Sequence, residues 1–73
     1  MQSIEGIVTI VQESRFQLLD GEGVSRMFLL SHKAALEPEQ LPPLQHEQAR
    51  IRVDYTAAHS IIGLLAHSVA RLD

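Results

Sequence analysis

The chain has 73 residues, enough for one small domain over residues 1–73 and too few for a second. Its formal net charge of −3 argues against nucleic acid as the main partner, since nucleic-acid binders usually carry a basic excess. A content of 45% hydrophobic and 21% charged residues is typical of globular proteins, and the absence of cysteine excludes disulfides, zinc–thiolate sites and thiol nucleophiles.

The N-terminal segment has the features of neither an export signal nor a membrane anchor. MQSIEGIVTI contains no basic region and no long apolar run. The longest apolar stretch, residues 61–66, is too short to span a bilayer. Together with the lack of cysteine, these features predict a cytoplasmic protein that does not bind membranes.

Three strands are predicted before the middle of the chain. Residues 4–11 are rich in Ile, Val and Thr, and Gly6 among them indicates a bend or bulge. Residues 15–19 and 24–30 form the second and third strands. The intervening DGEG, residues 20–23, is predicted to be a hairpin turn because Asp and Gly tolerate positive φ angles.

A short helix is predicted in the connector AALEPEQLPPLQHEQ. Pro38 suits a first helical position, and Glu37 suits the positive end of a helix dipole. We expect Pro42 and Pro43 to end the helix, because each ring removes an amide donor and restricts the preceding residue. Aliphatic side chains in this connector are expected to cover a hydrophobic opening, namely Leu36, Leu41 and Leu44.

The second half of the chain begins with a clear strand. In residues 49–55 the apolar side chains alternate with Arg50, Arg52 and Asp54, which predicts an inward face of Ala49, Ile51, Val53 and Tyr55. A loop is expected over residues 56–60.

The C-terminal tail has two interpretations. A helical face would contain Ile61, Ile62, Leu65, Val69 and Leu72. Gly63 and the adjacent isoleucines favour a strand instead, which we expect to extend to about His67. The predicted core of the whole chain consists of Val8, Ile10, Phe16, Leu18, Leu41, Ile51 and Val53.

The order of three strands, a short helix and two strands resembles the OB-fold. The segments that carry the resemblance are GIVTIV, RFQLLDGEG, LEPEQLPPLQ and ARIRVDY, and the likeness covers roughly residues 4–70. It implies a mainly β, five-stranded OB-fold-like barrel with one short helix between strands 3 and 4. The layout is also similar to that of small uncharacterised bacterial proteins, a family that implies no activity.

The hairpin RFQLLDGEGVSRMFLL offers a candidate binding face. If the turn pairs Leu19 with Val24, one side of the hairpin carries Arg15, Gln17, Arg26 and Phe28. The resemblance implies that this face could bind nucleic acid, because OB-folds bind oligonucleotides on the strand 2–3 surface by stacking and by phosphate contacts. A register shifted by one residue, or a bulge, would instead place both Phe side chains inside.

Other chemistry has little support. The spacing of His32, His46, His59 and His67 matches no compact metal motif, and no nucleophile elbow or phosphate-binding loop is present. We therefore expect no enzymatic activity, no metal and no cofactor.

The expected function is that of an interaction module that binds a protein partner, or itself as a homo-oligomer, through strand edges. The apolar tail, residues 61–72, is expected to contribute to such an interface. The alternative is weak binding of single-stranded nucleic acid on the strand 2–3 face. The alternative gains if Arg15, Arg26, Arg50 and Arg52 converge with Phe28, and it loses if these arginines pair with nearby carboxylates.

Overall fold

Five strands and one short helix form the structure, a computed structural model that describes residues 1–57 and 63–73. In chain order they are β1 (Gln2–Gln12), β2 (Arg15–Asp20), β3 (Ser25–Leu30), a 3₁₀ turn (Pro38–Gln40), α1 (Leu41–His46), β4 (Arg50–Ala57) and β5 (Leu64–Arg71). The strands close into a barrel in the order β1-β2-β3-β5-β4. The predicted fold class is therefore confirmed. Within the described residues, neither helical segment has the length and apolarity needed to cross a bilayer.

The long first strand closes one side of the barrel because it pairs with two neighbours. Around its first half β1 pairs with β4, and around its second half it pairs with β2. Gly6 belongs to both ladders, opposite Asp20 on β2 and Ile51 on β4. A Cβ atom at this position would overlap the carbonyl oxygen of Leu19, so the close approach of the two backbones requires glycine. The barrel is also closed by a parallel ladder, in which residues 28–30 of β3 pair with residues 64–66 of β5.

A bulge at Thr9 changes which β1 side chains face the core. Val8 lies opposite Leu18, but Ile10 lies opposite Gln17, so one residue of β1 is left over. Val8 is buried on one side of the bulge, while Ile10 is 50% exposed on the other. The prediction of a buried Ile10 is therefore wrong, since the extra residue inverts the alternation. The carbonyl oxygen of Thr9 accepts a hydrogen bond of 3.0 Å from the side chain of Gln45 in α1.

The observed pairing of β2 with β3 is shifted by one residue from the pairing of Leu19 with Val24, which would expose Phe28. Asp20 stays within the ladder and its amide donates to the carbonyl of Val24, so the loop has three residues and not four. Gly23, with φ of 82°, provides the left-handed position that such a loop needs. Phe16 then lies opposite Phe28, and both are buried. The pairing of Leu19 with Val24 is therefore wrong, and the alternative with both Phe side chains inside is correct.

The two prolines of the connector begin α1 instead of ending a helix. Pro42 and Pro43 follow Leu41 in the first turn, where backbone amides have no partner within the helix and a missing donor costs nothing. The helix ends after His46, where Gln48 adopts a φ of 52° and the amide of Ala49 donates to the carbonyl of Leu44 over 2.9 Å. This arrangement is a Schellman motif. As expected, Leu41 and Leu44 are buried and cover the barrel.

The predicted alternation of buried and exposed residues in β4 is confirmed, but the strand ends later than predicted. Its apolar residues are buried from Ala49 to Tyr55. The strand continues through Thr56 and Ala57, so the predicted loop begins too early, and its remaining residues, 58–60, lie outside the described part of the chain.

The tail forms a strand and not a helix over its described part. β5 begins at Leu64 and continues past His67 to Arg71, because a bulge lets it pair with β4 along its whole length. Leu64, Ala66 and Val69 pack on the core. Ile61 and Ile62 lie outside the described residues. The buried core consists of Val8, Phe16, Leu18, Phe28, Leu30, Leu41, Leu44, Ala49, Ile51, Val53, Tyr55 and Ala66.

The opposite placement of two isoleucines provides a test of this core. Ile51 is completely buried, whereas Ile10 is 50% exposed. We expect Ile51→Ala to lower the free energy of unfolding by about 2–5 kcal/mol, because it leaves a cavity. The matched control Ile10→Ala should cost less than about 1 kcal/mol. Chemical denaturation of both variants measures the difference, and equal losses would contradict the bulge.

Candidate functional site

All three aromatic residues of the chain lie in the core. The rings of Phe16 and Phe28 stack with centroids 5.3 Å apart and an interplanar angle of 16°. Tyr55 meets Phe28 edge to face, also at 5.3 Å, and its hydroxyl donates to the side chain of Gln2 over 2.9 Å. Because the chain has no other aromatic side chain, its surface offers no platform on which bases could stack.

The candidate face of the hairpin is divided between two sides of the sheet. Arg15 and Gln17 point outward, since they alternate with the buried Phe16. Phe28 points into the barrel, and Arg26 is on the same side two residues earlier, where it reaches the barrel end. The four residues do not share a face, because the hairpin register differs by one residue from the register that would align them.

Most arginines are paired with carboxylates, and Arg26 and Arg52 line one groove, which Arg15 and Arg50 do not line. The pairs are Arg26–Asp20, Arg50–Glu5 and Arg52–Asp54, each at 3.4 Å, and Arg71 with Glu47 and Asp73 at 2.9 and 3.0 Å. Exposed pairs of this kind contribute little to stability, but each places a negative charge beside a guanidinium. Of the six basic residues, Arg15 and Lys33 make no ion pair with a described residue. The arrangement counts against nucleic-acid binding.

Asp20 organises the polar end of the barrel. Its Oδ1 atom accepts hydrogen bonds from the amides of Glu22 and Val24 at 2.9 and 3.0 Å, and its Oδ2 atom lies 3.4 Å from Nε of Arg26. The Val24 amide is the main reason that the pKa of Asp20 lies below its usual value. The open groove beside it, of about 580 Å³, also contains Arg52. In this groove Arg26 is paired with Asp20, and Arg52 is paired with Asp54.

Large aliphatic side chains are exposed together on the outside of β1, β2 and β3. Ile7 lies opposite Leu19 in the sheet, and Ile10, Gln17 and Met27 form the next row across the three strands. The outer apolar face is defined here as these four aliphatic residues, with exposed fractions of 39% for Ile7, 50% for Ile10, 37% for Leu19 and 44% for Met27.

A polar residue, Gln17, lies at the centre of the outer apolar face, and its side chain is hydrogen bonded within the protein. Gln17 is half-buried there, and its side-chain oxygen accepts a hydrogen bond of 3.2 Å from the hydroxyl of Thr9. The sequence pattern does not predict this face, because it places Ile10 in the core, and the expected pairing of Leu19 with Val24 would turn Met27 inward. One signal was available, since the run Ile7–Val11 is apolar on both sides of the strand.

The histidines do not form a cluster in the described part of the chain. His32 and His46 are exposed, and Nε2 of His67 is hydrogen bonded to the hydroxyl of Thr56 at 2.7 Å. His59 lies outside the described residues. Among residues 1–57 and 63–73, no group of three or more His, Asp or Glu side chains could hold a metal ion. Comparison with known proteins finds no matching family model, curated protein or solved structure.

The lowered pKa of Asp20 predicts an acid-dependent loss of stability. A carboxylate whose pKa falls on folding stabilises the protein above its unfolded pKa of about 3.9, and this contribution disappears as the pH falls through the lower folded value. We expect Asp20→Ala to lower the free energy of unfolding at pH 7 and to flatten its decline in acid. Denaturant titrations from neutral to acidic pH measure both effects. An Asp20→Ala variant whose stability declines in acid as steeply as that of the wild type would contradict this role of Asp20.

Nucleic-acid binding is predicted to be weak. We expect no sub-micromolar affinity for a single-stranded oligonucleotide of about 20 nucleotides at about 150 mM salt, since few cations are free and no ring is exposed. Fluorescence anisotropy at two salt concentrations measures this, with Arg15→Glu/Arg26→Glu as the control. Sub-micromolar binding that this double variant loses would make nucleic acid the primary partner.

Proposed function

We propose that this protein is a non-enzymatic, OB-fold-like interaction module that binds protein through its outer apolar face. The parallel pairing of β3 with β5 in a closed five-stranded barrel supports the OB-like assignment. The proposed partner is a second copy of the same chain, so that the protein functions as a homo-oligomer.

The observation that carries the proposal is the adjacency of four exposed aliphatic side chains. A single exposed Leu or Ile on a protein surface needs no explanation. Here Ile7 and Leu19 are direct neighbours across two strands, and Ile10 and Met27 occupy the adjacent row on either side of Gln17. Contiguous apolar patches mark interaction surfaces, because covering them removes apolar area from water at about 25 cal/mol per Å².

The sheet face replaces the strand edge as the proposed contact. In the order β1-β2-β3-β5-β4, each strand has a hydrogen-bonded neighbour on both sides. Closure of a barrel removes the long unpaired edges through which an added strand would bind. The side chains on the outside of the sheet then provide the larger available surface.

Charge complementarity favours a second copy as the occupant. Arg15 lies at one end of the outer apolar face, opposite Gln12 and near the exposed Glu13, whereas Glu5, which is paired with Arg50, lies beyond Ile7 at the other end. Glu22 is exposed in the turn at this same acidic end. A two-fold axis that makes the facing strands antiparallel brings Arg15 of each copy to the acidic end of the other. This arrangement offsets the repulsion between two chains of net charge −3.

The size of the face implies a weak complex. β1 and β3 are two strand spacings apart, about 10 Å. Even with its polar margin, such a face falls short of the roughly 800 Å² per partner of a standard interface. We therefore expect a dimer that dissociates on dilution, with a micromolar or weaker affinity.

Single-stranded nucleic acid, the alternative partner, has no observation in its favour here. Phe28 is buried and Arg26 is paired with Asp20. The oligonucleotide titration tests this alternative: sub-micromolar binding would support it, and weaker binding would count against it.

A pair of equally exposed residues provides the test of self-association. Met27 belongs to the outer apolar face, while Val24 lies outside it, opposite Asp20 at the end of the hairpin loop, and both are 44% exposed. We expect Met27→Lys to abolish the concentration-dependent rise in sedimentation coefficient, because it places a charge in the apolar contact. Val24→Lys adds the same charge and should leave the rise unchanged.

Two results would contradict the proposal. One is a wild-type protein that sediments as a monomer up to millimolar concentration. The other is an equal loss in both variants, which would assign the effect to overall charge and not to the face.

A further inference from the structure

A second surface feature lies outside the outer apolar face, at the end of the barrel where β3 meets β5. It is a notch of about 340 Å³ with three leucines in its floor: Leu29 and Leu30 from β3, and Leu65 from β5. Leu29 and Leu65 are direct neighbours in the parallel ladder. The floor is therefore continuous across the seam that closes the barrel.

Backbone hydrogen bonds hold this floor in place. The amide of Leu30 donates to the carbonyl of Ser14 over 2.8 Å, and the amide of Ser31 donates to the carbonyl of Ala66 over 2.9 Å. These bonds attach the end of β3 to the β1–β2 turn on one side and to β5 on the other. The notch is thus preformed, as most small-molecule sites are.

Among the described residues, the polar groups on the rim of the notch are basic or uncharged, and none is acidic. It contains Lys33, His32 and His67, together with two serines, and no carboxylate of a described residue lines it. This is unexpected in a chain with nine acidic and six basic residues. Glu13 and Glu37 line an adjoining cavity, which shares Ser14, Leu30, Ser31 and His32 with the notch.

The rim groups are available to a ligand. Lys33 is exposed and makes no ion pair with a described residue. His67 is held by the 2.7 Å hydrogen bond between its Nε2 and Thr56, and no described residue is hydrogen bonded to its Nδ1. A hydrogen-bonded imidazole and an exposed ammonium therefore border the leucine floor.

We propose that this notch binds a small amphiphilic monocarboxylate, with the carboxylate at Lys33 and His67 and the hydrocarbon chain on the three leucines. A cation would meet the charge of Lys33 and find no carboxylate. Lys33 is the one lysine or arginine among the described residues that lines the notch, and a single permanent cation matches a monoanion better than a phosphate. The volume is at the small end of the roughly 300–1,000 Å³ range of ligand sites, so the ligand is short.

Matched probes separate the contributions of charge and hydrocarbon chain. Octanoate has both, octan-1-ol has only the chain and acetate has only the charge. In a methyl NMR titration of the intact protein, we expect octanoate to shift Leu29, Leu30 and Leu65 saturably. Its affinity should exceed that of either other probe about tenfold, since a charge-assisted hydrogen bond to the rim requires the carboxylate.

Variants of two exposed cations then assign the charge. We expect Lys33→Gln to reduce octanoate affinity to that of octan-1-ol and to leave octan-1-ol binding unchanged. Arg50→Gln is the matched control, since Arg50 is also exposed and does not line the notch. It should change neither affinity.

Several outcomes would overturn the proposal. These are the absence of saturable octanoate binding, equal affinity for octan-1-ol, or an equal effect of both variants. Octanoate shifts at Ile7, Ile10, Leu19 and Met27 would also overturn it, because they would indicate adsorption to the outer apolar face. The sedimentation test of self-association is independent of all these results.

Discussion

The stack of Phe16 on Phe28, continued edge to face by Tyr55, is the interaction on which the rest of the barrel depends. These side chains come from β2, β3 and β4, so their packing joins both halves of the chain across the interior. Such aromatic pairs contribute about 0.5–1.5 kcal/mol beyond the burial of their area. The same stack holds the hairpin in a register that places both phenylalanines inside. Because Phe16, Phe28 and Tyr55 are all buried, the surface of this barrel has no phenylalanine or tyrosine ring on which a base could stack.

Two one-residue irregularities decide what the outer surface presents. The bulge at Thr9 turns Ile10 outward, and the three-residue loop closed by Asp20 turns Met27 outward. Each irregularity has its own local support: the carbonyl of Thr9 is bonded by Gln45 of α1, and Asp20 is bonded by two amides of the turn. The outer apolar face therefore follows from backbone hydrogen bonding. In a domain this small, whose core has few large side chains, four aliphatic residues outside the core are a considerable fraction of those available.

The outer apolar face and the notch at the β3–β5 seam carry different charges at their margins, so each favours a different kind of partner. The outer apolar face has Arg15 at one end and acidic residues at the other, a polarity that a second copy can match in the antiparallel orientation. The notch at the β3–β5 seam has Lys33 and two histidines on its rim and leucines in its floor, which suits a small anion with a hydrocarbon chain. Elsewhere the arginines are paired with carboxylates, so little unpaired positive charge remains for a polyanion.

The sequence by itself determined the strand-rich class, the element order and the inward face of β4, because Ile51 and Val53 alternate with arginines and no bulge interrupts them. It did not determine the outer apolar face or the position of Phe28. Side chains along a strand alternate with a period of two, so a shift of one residue moves every side chain to the opposite face. Whether that shift occurs depends on hydrogen bonds to Asp20 and Thr9, and the Thr9 bond comes from Gln45, 36 residues away. Similarly, Pro42 and Pro43 are compatible with either end of a helix until the packing of Leu41 and Leu44 on the barrel decides that they begin it. Tertiary contacts choose among local structures of nearly equal energy, and in this chain that choice placed the candidate site.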